Sequence, residues 1–282
     1  MAKISVLDHG YLELVETWGS DERIVEAARM STGKGFLGWG PVACTECSGV
    51  SFRSPPDCEE CHGEGGRYDT EVQDQWYECR TCEDLICKKC HGLGRLPGDE
   101  KLLKFLWNHK HATPFEMAGM VIEVQAPIFV FREWHRHRTQ SYNEMSARYV
   151  PLPDVNYVPS VERLLVNSKT NKQAGTIAGA AELTPENAED FRARLVFHYG
   201  AAQRLYEDAL SFGVPKELAR VHLPVGRYSR MRASANLRNW LAFLTLRMDA
   251  AAQWEIRQFA NAVGELIAER FPRTWALFSE GR

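Results

Sequence analysis

The chain has 282 residues, 44% hydrophobic and 25% charged, with a formal net charge of −3 at pH 7. These are ordinary globular proportions, with length enough for a sizeable core in one large domain or two smaller ones. No stretch approaches the ~18 apolar residues of a membrane helix, the N-terminus MAKISVLDHGYLELVE lacks the apolar core of a secretory signal, and a pI near 6.3 argues against a dedicated nucleic-acid binder; a cytoplasmic protein with no membrane or nucleic-acid partner is expected.

In chain order, KISVLDHGYLELVETW predicts two strands around His9-Gly10. Ser20 then caps a helix, DERIVEAARM, whose first turn carries Asp21 and Glu22 against the positive end of the helix dipole. From Gly40 to Pro97 the chain is rich in Cys, Gly and acids and poor in aliphatic residues. Asp99 opens a second amphipathic helix, EKLLKFLWNHK. Residues 40–97 therefore read as an insertion in a domain that covers 1–39 and 98–282. Further on, MAGMVIEVQAP reads as a strand, and Pro127 starts a helix, IFVFREWHRH, that feeds RHRTQSYNEMSARY at 136–149. Residues 150–185 predict a long irregular excursion. A helix at 186–211, a short one from Pro215, a strand in HLPVGRYSRMRAS and helices at 236–249 and 251–271, the last stopped by Pro272, complete the chain.

All eight cysteines fall in four Cys-x-x-Cys pairs, Cys44/Cys47, Cys58/Cys61, Cys79/Cys82 and Cys87/Cys90. Four thiolates hold one zinc tetrahedrally, and a two-residue gap lets two sulfurs of one turn reach the same ion, so two zinc ions per chain are expected. CEECHGEGG and CKKCHGLG resemble the Cys-x-x-Cys-x-Gly-x-Gly repeats of the DnaJ zinc domain, whereas CRTCED lacks the glycines. Sequential pairing of the four units and nested pairing, first with fourth and second with third as in DnaJ, both remain open. Cys58–His62 and Cys87–His91 also match a haem attachment pattern, which would leave four cysteines unexplained. Residues 40–97 carry eleven acids against six bases, a balance that repels nucleic acid and suits an appendage that braces subunits or docks a protein partner.

Residues 136–149 pack Arg136, His137, Arg138 and Arg148 around a single acid, Glu144. Arginine presents a planar fork of permanently charged donors suited to phosphate, and Ser146 adds a neutral donor. The plainer alternative is a surface salt-bridge network among Arg136, Arg138, Glu144 and Arg148.

Arg136-His137-Arg138, then seven residues, then Ser146 resembles the signature of flavin-dependent thymidylate synthases. EAARMS (26–31), HATPFE (111–116), APIFVFREWHRHR, ARVHLP (219–224), ANLRNWLAFLTLR (235–247) and AAQWEIRQFA (251–260) resemble that family in order and spacing, while the cysteine segment is foreign to it. The resemblance implies an α/β (α+β) fold, a sheet flanked by long helices with a small zinc module inserted. It implies methylation of dUMP to dTMP, with methylenetetrahydrofolate as carbon donor, NADPH as reductant and FAD as cofactor, in a homotetramer with shared active sites. It places nucleotide contacts at Arg136, Glu144, Ser146, Arg148, Arg220 and Arg247, and flavin contacts at Ser31, Thr113, Glu116, His137, Arg138, Asn236 and Arg238. His111 and Arg247 take catalytic positions. Every cysteine lies in the 44–90 segment, so none is left to attack the pyrimidine, and Ser146 has no evident paired base that would make it a nucleophile.

Three positions depart from the family: Glu133 stands where Gln is usual, close to the nucleotide, and Ala242 and Ala251 replace flavin-side Asn and His. Glu133 pairs with Arg132 or Arg136 or else contacts the substrate. The departures leave room for a related enzyme acting on a different pyrimidine nucleotide. A zinc-stabilised assembly protein with a decayed site is the reading from another class.

Overall fold

The computed structural model describes residues 3–44, 46, 66–69, 75–78, 93, 95–168 and 171–281. Of the cysteines only Cys44 falls among them, buried; the other seven, and with them the expected zinc ligation, lie outside the described residues. The chain divides into two compact units, Met1–Ile24 with Ala112–Arg282, and Val25–His111.

The first unit is built on a five-stranded antiparallel sheet. Its strands are β1 (Lys3–Val6), β2 (Gly10–Trp18), β7 (Gly119–Pro127), β8 (Ser141–Glu144) and β9 (Tyr228–Asn236), in the order β1-β2-β7-β9-β8. Strand alternation accounts for the core: Met120, Ile122, Val124 and Ala126 of β7 and Leu12 and Leu14 of β2 point inward and are buried. At Gly10 a Cβ would fall 2.8 Å from the Phe259 ring and 2.5 Å from the Val6 carbonyl, so glycine there lets the helix carrying Phe259 pack directly on the sheet.

The helices begin with α1 (Asp21–Arg29), where the Ser20 hydroxyl accepts from the Arg23 amide at 3.4 Å as its sequence position predicts. In the first unit follow α3 (Ala112–Glu116), α4 (Ile128–Trp134), α5 (Val161–Leu165), α6 (Pro185–Ser211), α7 (Lys216–Ala219), α8 (Leu237–Arg247), α9 (Trp254–Arg270) and α10 (Pro272–Glu280). The predicted irregular excursion at 150–185 contains α5 and a 3₁₀ turn at Lys172–Ala174. It is tied down by Arg163, whose guanidinium donates to buried Glu255 at 2.8 Å. Pro272 does stop α9, but it also starts α10, as proline's fixed φ allows in a first turn. Asp21 supplies that helix with a cap from 252 residues away, accepting from the Arg273 amide at 2.8 Å and from the Thr274 hydroxyl at 2.6 Å.

The second unit contains α2 (Glu100–Asn108) and the two-residue pair β3 (Val42–Ala43) with β6 (Arg95–Leu96), together with β4 (Gly66–Asp69) paired to β5 (Gln75–Glu78). Asp99 stands before α2 as expected, yet its side chain makes no cap. Its buried carboxylate instead accepts from the Arg29 guanidinium and from the Leu37 amide at 2.6 Å. A buried carboxylate requires such partners, and this one pins the segment before the cysteine region to the segment after it. The close approach of Gly98 to Gly40 does the same: a Cβ on Gly98 would lie 2.0 Å from the Gly40 carbonyl oxygen.

Candidate active site

The arginine-rich segment is shaped by β8, which sits in its middle and pairs with β9 from Ser141↔Ser234 to Glu144↔Met231. It ends where the Met145 amide donates to the Arg230 carbonyl at 2.8 Å and the chain turns away from the sheet. In the space this opens lies a cavity of about 300 Å³. Helix α4 and its C-cap form one wall with Ile128, Phe131, Arg132 and the capping His135, at i, i+3, i+4 and i+7. Glu144 to Ala147, Leu152, Arg220 just past α7, and Ser229 of β9 complete the lining. Three of the expected nucleotide contacts, Glu144, Ser146 and Arg220, thus share one cavity.

The turn between α4 and β8 faces α8. Asn239, Phe243 and Arg247 are spaced by four, so they lie along one stripe of that helix. Asn239 Nδ2 donates to the Thr139 carbonyl at 3.2 Å. The Phe243 ring stacks on Trp134 with centroids 4.7 Å apart and meets the His137 ring edge-on at 4.8 Å. Arg247 donates through Nε to His137 Nε2 at 2.8 Å, through Nη1 to Glu133 Oε2 at 2.8 Å and through Nη2 to the Glu133 carbonyl at 3.0 Å. Glu133 therefore pairs with neither Arg132 nor Arg136. Helix α4 ends at Trp134, so Glu133 and Arg136 do not share a helical face, and α8 brings a cation from 114 residues away instead. Burial, with the Arg247 charge added to it, lowers the His137 pKa to about 4. The imidazole is neutral near pH 7, accepting on Nε2 and carrying its proton on Nδ1.

Arg136 and Arg138 are exposed. Arg148 is exposed too, 3.6 Å from Glu217, so the salt-bridge network weighed for 136–149 is not the arrangement found. Glu116, at the end of α3, receives Arg238 Nη1 at 2.6 Å. Asn236 is the N-cap of α8; its Oδ1 accepts from the Asn239 amide at 2.9 Å, which leaves its amide nitrogen for other contacts. Thr113 is exposed on α3. Ala242 and Ala251 are exposed, and the Ala251 amide donates to Asp249 Oδ1 at 2.7 Å. Ser31 and His111 belong to the second unit. There the Ser31 hydroxyl donates to the Ala28 carbonyl at 3.1 Å, and the exposed His111 ring meets Phe105 edge-on at 5.5 Å.

Sequence reasoning missed His135 and Ser229 altogether and gave Arg132 only a pairing role. A signal for Ser229 exists: it holds the same phase of β9 as Met231, Ala233 and Ala235, all buried, so a polar side chain stands on the apolar face of the strand.

The family described as thymidylate synthase complementing protein matches residues 13–273. A flavin-dependent thymidylate synthase of Thermus thermophilus is 34% identical over 277 residues, covering 98% of this chain and 78% of that protein. One from Thermotoga neapolitana is 30% identical over 276 residues, covering 98% and 94%. Among solved structures, a UMP/dUMP methylase of Streptomyces cacaoi bound with 5-Br dUMP matches with a TM-score of 0.63 at 27% identity, over 98% of this chain and 97% of that one. The same methylase bound with 5-Br UMP matches with a TM-score of 0.66 at 25% identity, over 99% and 97%. With a family match across nearly its whole length and relatives of this similarity, the chain belongs to the thymidylate synthase complementing protein family, the flavin-dependent thymidylate synthases.

Proposed function

We propose that this chain catalyses the reductive methylation of dUMP to dTMP, with methylenetetrahydrofolate as carbon donor, NADPH as reductant and FAD as bound cofactor. The observation that carries this reading is the cavity where Glu144, Ser146 and Arg220 converge. A nucleoside monophosphate needs a cation and a hydroxyl for its phosphate and an acceptor for its sugar, and the lining supplies all three. Arg247, held by Glu133 and paired with neutral His137, orients the polar edge of the pyrimidine; Arg136 and Arg148 complete the charge around the nucleotide. Arg138, Arg238, Asn236, Thr113, Glu116 and Ser31 are the flavin contacts, and His111 acts on the flavin side. The donor chemistry fits: exposed guanidiniums and a free amide nitrogen suit a diphosphate. FAD, when bound, supplies the hydride. Formation of dTMP from dUMP, dependent on FAD, NADPH and methylenetetrahydrofolate, is the test; no product with every component present would sink the reading.

A second reading, turnover of UMP as well as dUMP, is favoured by the likeness to a UMP/dUMP methylase. Parallel assays with dUMP, UMP and dCMP separate the two.

Residues 40–97 form, in this reading, an inserted module that holds two zinc ions through Cys44, Cys47, Cys58, Cys61, Cys79, Cys82, Cys87 and Cys90, and docks a protein or braces subunits. The strand registers support the nested pairing. β3 ends beside Cys44 and pairs with β6, just after Cys90, while the β4–β5 pair closes the chain between Cys61 and Cys79. Elemental analysis should give about two zinc per chain, and serine at both Cys44 and Cys47 should leave one.

A homotetramer with shared sites is supported by the exposed apolar side chains of α6, among them Phe191, Phe197 and Leu205; a sedimenting monomer would contradict it. A cytoplasmic location agrees with the finding that no helix among the described residues is long and apolar enough to cross a membrane.

A further inference from the structure

The cavity contains three polar residues that the family resemblance leaves unassigned, Arg132, His135 and Ser229. Ser229 lies on β9 opposite Ala126 of β7, just beyond the last residue that β8 pairs. It is 1% exposed and lines the cavity, and its Oγ has no hydrogen-bond partner among the described residues. A buried hydroxyl normally finds a partner, because leaving it unmade costs free energy that a neighbouring acceptor or donor would recover. Here no such partner is in place among the described residues, and the residue borders the cavity instead. His135, the residue that ends α4, also lines the cavity, one turn from Arg132 and Phe131, with its ring 4.9 Å from Tyr142. Ser229 and His135 thus line the same space from two different parts of the chain.

We propose that Ser229 is a nucleotide-binding residue: its hydroxyl hydrogen-bonds a polar atom of the pyrimidine nucleotide that enters the cavity, and so contributes to substrate affinity. This rests on the reading of the cavity as the nucleotide site. Being enclosed, Ser229 meets the part of the nucleotide that goes deepest. The exposed arginines, Arg136 and Arg148, remain for the part nearest solvent.

The arrangement predicts opposite signs for the free and the bound protein. In the free protein Ser229→Ala removes a hydroxyl that bonds nothing, so the melting temperature stays level or rises. In the complex the same change removes a hydrogen bond, so dUMP binding weakens about three- to tenfold, the range for one neutral bond. Titration of dUMP into the FAD-loaded protein and of FAD into the flavin-stripped protein, parent and Ser229→Ala, together with melting curves without nucleotide, measures all of this. The expected result is weaker dUMP binding with FAD affinity and melting temperature unchanged or better, and partial recovery of dUMP affinity in Ser229→Thr. Equal dUMP affinity in parent and Ser229→Ala overturns the inference while leaving the proposed function standing. A parent that binds no dUMP overturns the proposed function and the inference with it. A Ser229→Ala variant that melts lower and loses dUMP and FAD affinity together assigns the hydroxyl to the fold and also overturns the inference.

Discussion

Helix α4 has two working faces, and they are prepared differently. Toward α8, Trp134 is stacked, and Glu133 and the following His137 are both bonded to Arg247 before any ligand arrives. Toward the cavity, Arg132 and His135 line open space with Ser229, a buried serine whose hydroxyl has no partner among the described residues. The first face spends its polar groups on holding geometry; the second leaves them for something that enters. Substitutions on the first face should therefore lower turnover, and substitutions on the second should weaken binding.

Arg247→Ala is the severest way to break the contrast. It removes three hydrogen bonds at once and leaves the Glu133 carboxylate without its cation. A loss of about 3 kcal/mol of transition-state stabilisation, roughly a hundredfold in kcat, is expected. The His137 pKa should also rise, because one of the causes lowering it is removed. NMR titration of the imidazole checks the second effect independently of activity, and an unmoved pKa would contradict the contact.

On the cavity side, Arg220→Ala should raise the dUMP dissociation constant about ten- to a hundredfold, the range for one charge-assisted bond, with FAD affinity unaffected. Isothermal titration measures both, and equal losses for the two ligands would erase the distinction between the faces.

The third test is acid. The folded His137 pKa is about 4 against an ordinary 6.5, so between these values the unfolded chain binds the proton and the folded chain does not. The stabilisation is therefore present above pH 6.5 and is lost as the pH falls toward 4. Discounted for solvent screening of a partly exposed ring, the loss is on the order of 1–2 kcal/mol. Urea midpoints at several pH values measure it, and the loss should be absent in His137→Gln.

Glu133→Gln is the mildest probe. The amide oxygen still accepts from Arg247, and the backbone carbonyl contact is untouched, so kcat should fall only about threefold with dUMP affinity nearly constant. A changed ratio of dCMP to dUMP affinity would show instead that Glu133 reads the base, on the substrate side of the comparison.

Local pattern made much of this molecule legible. Partial alternation marked β7, strand-like runs marked β2 and β9, the Ser20 cap marked α1, and Cys-x-x-Cys spacing marked the segment whose bordering strands β3 and β6 pair. The signature at 136–149 identified the region where Glu144 and Ser146 meet the cavity. These features persist in sequence because period, capping and ligand spacing act within a few residues of each other. Tertiary structure alone decided the partners that come from far along the chain: Arg247 for Glu133, Asp21 for the start of α10, and Arg29 and Leu37 for Asp99. A charged side chain with three or four nearby candidates gives no local sign of which one it will meet. The choice falls to whichever donor the packed helices bring within about 3 Å once water is excluded. For the same reason Ser229 could be read as a serine on an apolar face, but only the packing of α4 and of the segment after β8 placed it in the lining of a cavity.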